Sequence, residues 1–253
     1  MSMWDRKELK KRAKEVLRTS YWKAFLVSII LAVVGGSVSP PNFNFGSSST
    51  IDEFNLIDGD LEWAILGPIL AIIIVIFIVI FLFAMAFRIF LGFPFEAGAM
   101  RYFKGSAERE VNLNHLMYAF NKLRYLDIVK AMLWRGFLTF LWSLLLVIPG
   151  IIKSYSYSQV PFILADNPNI GYRRAVDLSR QMTRGHKFNI FVIDLSFLGW
   201  ILLGTLALFV GVLFVLPYIN ATKAELYMAL RQEALDKGFT NEEELRLNQT
   251  PVF

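Results

Sequence analysis

Residues 63–87 read Trp63-Ala-Ile-Leu-Gly-Pro-Ile-Leu-Ala-Ile-Ile-Ile-Val-Ile-Phe-Ile-Val-Ile-Phe-Leu-Phe-Ala-Met-Ala-Phe87. This run of 25 residues holds none of the chain's 26 Lys/Arg or 21 Asp/Glu. About 20 apolar residues span a bilayer as a helix, so the run marks an integral membrane protein. The whole chain agrees. Of its 253 residues 55% are hydrophobic and 19% charged, against roughly 45–50% and 25% in soluble domains. Cysteine is absent, which removes disulfides, thiolate metal sites and cysteine nucleophiles from consideration. Two histidines, His115 and His186, make a histidine metal site a poor expectation, and no cofactor is expected.

Charge placement predicts topology, because Lys and Arg are retained on the cytoplasmic side during insertion. Eight Lys/Arg lie in the first 23 residues, and none between Ala24 and Leu61. The N-terminus is therefore expected inside. The Ser-, Asn- and Pro-rich loop 37–61, with Asp52, Glu53, Asp58 and Asp60, is expected outside. Arg88, Arg101, Lys104, Arg109, Lys122 and Arg124 follow the 63–87 run and fall inside again. Arg173, Arg174, Arg180, Arg184 and Lys187 must also lie inside. Residues 126–166 then form a hairpin, with a helix over 128–148, a break at Pro149-Gly150 and a short arm over 151–165. The apolar stretch Phe188–Thr222 is long enough for two crossings, with a turn near Gly204–Gly211.

The expected fold is an all-α integral membrane domain of six transmembrane helices in three hairpins, with three amphipathic helices on the cytoplasmic face. Its parts are a basic helix (1–20), hairpin 1 (21–95), a cytoplasmic segment (96–125), hairpin 2 (126–166), a cytoplasmic helix (167–187), hairpin 3 (188–232) and a cytoplasmic tail (233–253). The amphipathic stretches are Asp5–Thr19, with Leu9, Ala13, Val16 and Leu17 on one side; Leu113–Leu123, with Leu113, Leu116, Met117 and Phe120 at helical spacing; and Pro168–Thr183, capped by Asn167. Each precedes a hairpin, which suggests a unit used three times. Their cations, notably Lys10, Lys11, Lys14, Arg173, Arg174 and Arg180, are placed to meet anionic inner-leaflet headgroups.

Asp194 stands seven residues into a predicted span, where a charge costs roughly 2.5–3.5 kcal/mol. Such a residue faces the bundle interior and pairs. Arg135, Lys130 and Arg88 are the expected partners, forming either a structural ion pair or a site for an ion, a proton or a headgroup. Glu96, Lys223 and Glu225 read as interfacial charges, and most Trp residues as an aromatic belt. No G-x-S-x-G, H-E-x-x-H or P-loop pattern occurs, and no nucleic-acid motif accompanies the basic stretches.

Several segments together resemble the bacterial domain-of-unknown-function family 975. They are Leu145–Tyr155 (LLVIPGIIKSY), Phe162–Pro168 (FILADNP), Arg184–Lys187 (RGHK), Asp194–Trp200 (DLSFLGW), Trp4–Lys10 and Leu216-Pro217-Tyr218. The resemblance implies a multi-pass protein of the bacterial plasma membrane and implies no activity. The expected function is a non-enzymatic accessory or scaffold module that binds lipid or a partner membrane protein. The alternative is a transporter or exporter of a small or amphipathic molecule through Asp194.

Overall fold

A computed structural model describes residues 5–31, 59–206 and 210–247. The outer loop 37–61 and the first four residues lie almost wholly outside them. Among the described residues the fold is all-helical, as expected. The helices are α1 (Arg6–Ile30), α2 (Gly59–Phe87), α3 (Phe93–Ala107), α4 (Lys122–Leu145), α5 (Val147–Ser156), α6 (Val160–Asp166), α7 (Tyr172–Met182), α8 (Lys187–Leu206) and α9 (Val210–Asp236). A π-helical turn, Arg88–Gly92, joins α2 to α3, and a 3₁₀ helix, Leu113–Phe120, precedes α4.

Among the described residues, three stretches are long and apolar enough to cross a membrane: Gly67–Ala107, Lys122–Leu145 and Lys187–Thr205. The expected six spans in three hairpins are not supported by these three. The apolar part of α1, Ser20–Ile30, has 11 residues, and the second arm of hairpin 2 divides into α5 and α6. At 1.5 Å per residue, the ten residues of α5 reach about 15 Å, half of a ~30 Å hydrocarbon core.

In α2, Ile72–Ile80 consists of β-branched residues and Phe77, a composition that favours strands in water. It is helical here, the form in which a single segment satisfies all its own backbone groups in lipid. Residues 68–87 are exposed without exception. The core lies instead between α1, α3, α4, α6, α7, α8 and α9, around Tyr102, Phe103, Ile128, Met132, Ile163, Leu164, Leu178, Leu226 and Tyr227.

The amphipathic stretches take three different forms. α1 is capped by Asp5, which accepts from the Lys7 N–H at 3.2 Å, and buries Leu9, Ala13 and Leu17 as expected. It bends at Ser20 (φ −127°, ψ 18°), whose hydroxyl donates back to the Val16 carbonyl at 2.9 Å. Residues 113–120 wind as 3₁₀, three residues per turn, and bury His115, Leu116 and Ala119 while Leu113 and Met117 are exposed. The third helix starts at Tyr172 instead of Pro168. Gly171 holds φ +89°, a left-handed conformation that glycine adopts without steric cost and that no helix continues through. Asn167 accordingly accepts from the Asn169 N–H at 3.0 Å in a turn.

The break of hairpin 2 falls at Leu146 (φ −159°, ψ 141°), with Pro149 and Gly150 already inside the first turn of α5. Gly150 is where the arms touch: a Cβ there would stand 2.5 Å from Ser143 Oγ and 2.7 Å from Ser143 Cα. Gly150→Val is expected to force the arms apart at a cost of about 1–3 kcal/mol. Gly136→Ala, where nothing lies within 4 Å of the new Cβ, is expected to be neutral or slightly stabilising. Thermal unfolding of both variants in detergent checks the contrast.

Candidate functional site

A buried charge cluster begins with a proline. Pro94 has no N–H for the carbonyl of Phe90, four residues back, and its ring crowds that carbonyl. The helix responds by widening: the Phe93 N–H reaches five residues back to the Arg88 carbonyl. The freed Phe90 carbonyl accepts from the Tyr125 hydroxyl of α4 at 2.8 Å. The extra residue also changes phase. At 3.6 residues per turn, positions eight apart differ by about 80° around a helix, whereas positions seven apart nearly coincide. One inserted residue lets Glu96 take the place of a seventh neighbour and face Arg88.

Glu96, 4% exposed, receives Arg88 Nη2 at 3.2 Å on Oε2 and Arg135 Nη1 at 2.9 Å on Oε1. Two of the three cations expected near Asp194 thus serve a different carboxylate. The third, Lys130, is exposed on α4. Asp194 itself pairs with Lys223 of α9 at 3.6 Å. The expected Asp194 grouping is therefore corrected to two sites, Glu96 with Arg88 and Arg135, and Asp194 with Lys223. The reason is that α3 carries a carboxylate to the level of Arg135, while α8 packs against α9.

A third cluster joins α3, α6 and α9. The side chain of Asp166 is fully buried. It accepts from Lys104 Nζ at 2.5 Å, from the Tyr227 hydroxyl at 2.5 Å and from Arg231 Nη1 at 3.3 Å. Arg231 also donates to Glu108 at 2.8 Å, and Lys104 lies 3.4 Å from Glu108. Two cations and two carboxylates balance. Arg101 donates to the Ala165 carbonyl at 2.6 Å, and Phe162 stacks on Tyr227 with centroids 5.1 Å apart. The 162–168 motif is thus the point where three helices are tied together.

The six cations expected to meet lipid divide. Lys11, Arg173 and Arg180 are exposed. Lys10 donates to Ser196 Oγ at 2.5 Å and lies 4.5 Å over the Phe197 ring; Lys14 lies 5.6 Å over the Tyr218 ring. Arg174 grips the tail, donating from Nε to Glu244 Oε1 at 2.6 Å, from Nη2 to Oε2 at 2.9 Å and to the Phe239 carbonyl at 2.6 Å. Hydrogen bonds from Arg174 hold the Glu244 carboxyl below its ordinary value. A depressed folded value means that the clasp is at full strength above the ordinary glutamate value of about 4.3 and weakens as pH falls through the lower folded value. Proteolysis of the segment after Gly238 is expected to accelerate in that acidic window. Glu244→Gln should be cleaved faster at neutral pH and lose the pH dependence.

Sequence reasoning placed Glu96 at an interface and did not single out Asp166. The available signals were a carboxylate beside Phe93-Pro94-Phe95, and one closing the apolar run Phe162–Ala165.

Residues 116–234 match the model of a family described as "Protein of unknown function (DUF975)". No curated protein and no solved structure matches the chain.

Proposed function

We propose that this chain, whose residues 116–234 match the DUF975 family model, is a non-enzymatic membrane module that binds lipid or a partner membrane protein. The carrying observation is α2, exposed on every side from residue 68 to residue 87. An all-round apolar helix is stable only where hydrocarbon or another apolar surface covers it. The charges inside the body support the same reading, because Glu96 and Asp166 are matched by cations of their own chain. In this reading α2 crosses the plasma membrane of a bacterium. Both termini and the basic helices lie on the cytoplasmic side, where Lys11, Arg173 and Arg180 face anionic headgroups. Purification in mild detergent followed by native mass spectrometry tests it. Co-purifying anionic lipid or a stoichiometric partner is expected, and recovery of the bare chain overturns the reading.

Transport through Asp194 is the second reading. The Asp194 and Lys223 side chains remain 33% and 41% exposed, so the pair is open to exchange with a ligand. Asp194→Asn should then change flux in proteoliposomes, and unchanged flux removes this reading.

A further inference from the structure

Hairpin 2 can be measured from α7, the basic amphipathic helix whose Arg173 and Arg180 face outward. The first arm, α4, touches α7 where Trp134 meets Tyr172 edge to face, with centroids 5.6 Å apart. The second arm, α5, touches it where the Ser156 carbonyl accepts from Ser179 Oγ at 2.9 Å and from Thr183 Oγ1 at 3.3 Å. From these two anchors the arms run to Leu145 and back from Val147, each a rise of about 15 Å. Measured from these contacts, each arm has before the turn a length of helix equal to about half the thickness of a bilayer core.

The top of the hairpin has the wrong chemistry for water. Residues 136–152 carry no charge. Leu144, Leu145, Leu146, Val147 and Ile148 form the turn and are 62–72% exposed. A hairpin that crossed the bilayer would turn in water and carry polar residues there, as loop 37–61 does in sequence. The two hydroxyls in the upper part of α4 are satisfied within the helix: Thr139 donates to the Arg135 carbonyl and Ser143 to the Thr139 carbonyl, both at 2.9 Å. The backbone break is one residue wide. The Leu146 N–H still donates to the Trp142 carbonyl at 3.2 Å, and its own carbonyl accepts from the Gly150 N–H at 3.1 Å. The ladder thus continues through Leu146 on both sides of the break, which limits the number of backbone groups left unpaired there. Lys153 lies one helical turn above Ser156, and its side chain rises toward the upper part of α4, where an aromatic face covers the charge. Its ammonium lies 4.4 Å over the Trp142 ring of the other arm.

We infer that the α4–α5 hairpin is a re-entrant wedge, which enters from the face that carries α7, ends among the acyl chains near the bilayer midplane and returns to the same face. The occupant of its exposed apolar surface is the lipid of that one leaflet. Arg173, Arg180 and Arg184, exposed at its base, match the anionic headgroups of the same lipids. The wedge adds cross-section to one leaflet and none to the other.

The inference rests on the membrane reading above, and one experiment separates their failures. The chain contains no cysteine, so Leu146→Cys, Ile148→Cys, Ile76→Cys and Arg173→Cys each create a sole thiol for a nitroxide label. The full chain is reconstituted in liposomes of phosphatidylcholine and phosphatidylglycerol, and accessibility to oxygen is compared with accessibility to an aqueous nickel chelate. Labels at 146, 148 and 76 should admit oxygen and exclude the chelate, while the label at 173 admits it. Chelate reaching 146 and 148 but not 76 overturns the wedge alone, because the turn then lies in water. Exclusion of both probes at 146 and 148 also overturns it, because protein then covers the turn. Chelate reaching 76 as well overturns the membrane reading itself.

Discussion

Asp166→Asn is expected to lower stability by about 3–5 kcal/mol, the cost of breaking a buried ion-pair network, because Lys104 and Arg231 are left sharing Glu108 alone. The asparagine keeps the volume but removes the charge that faces Lys104 and Arg231, which approach to 2.5 and 3.3 Å. It also replaces one charged acceptor of the Tyr227 hydroxyl by a neutral one. Three helices lose their common tie, so α6 should loosen from both α3 and α9. Thermal unfolding in detergent reads the loss, and hydrogen exchange over residues 160–168 locates it. A second substitution separates charge from packing. Asp166→Leu combined with Lys104→Met removes a charged pair rather than breaking it, and such replacements are often neutral. The double variant should recover part of the midpoint, because Arg231 and Glu108 then balance with no cation left over, but not all of it, because the buried Tyr227 hydroxyl loses its acceptor. A double variant no more stable than Asp166→Asn would show that the ion pair is not the source of the effect.

Glu96→Gln should have the next largest effect, about 3 kcal/mol or more by the same argument. Arg88 and Arg135 then face each other across a neutral amide, and each loses a charge-assisted hydrogen bond. The damage should fall at the joint between α2, α3 and α4. Arg135→Met should cost less, because Glu96 keeps Arg88 at 3.2 Å. Unfolding midpoints of the two variants, ranked against each other, check the order. Equal losses would mean that Arg135 carries the whole interaction.

These two carboxylates also mark where the reading of residues stops. Apolar length placed α2, and of the stripe Leu9, Ala13, Val16 and Leu17 three residues are buried on α1 while Val16 is half-buried. Those signals are local, since a helix reports its own period. The partner of a charge is not local. Arg88 and Arg135 were legible as cations that needed an anion inside the bundle, but Asp194 was the most deeply placed carboxylate in the sequence and drew the assignment. What moved Glu96 into position was a phase change of one residue, caused by Pro94 and satisfied by Tyr125 more than thirty positions away. Hairpin 2 failed in a similar way. Pro149-Gly150 is strong punctuation, yet Pro is tolerated in the first turn of a helix. The break moved to Leu146, which carries no breaking signal of its own. Asp166 lay in a motif used only for its resemblance, and its role appears once Lys104, Tyr227 and Arg231 converge on it.

The isolation of α2 has a consequence for how this chain can change over generations. A core helix is constrained residue by residue, because each side chain fills a hole cut by its neighbours. From residue 68 to residue 87 no such holes exist. Isoleucine, valine, leucine and phenylalanine are interchangeable there as long as length and greasiness persist, so this segment should drift freely in spelling while Pro94, Glu96 and Asp166 stay fixed.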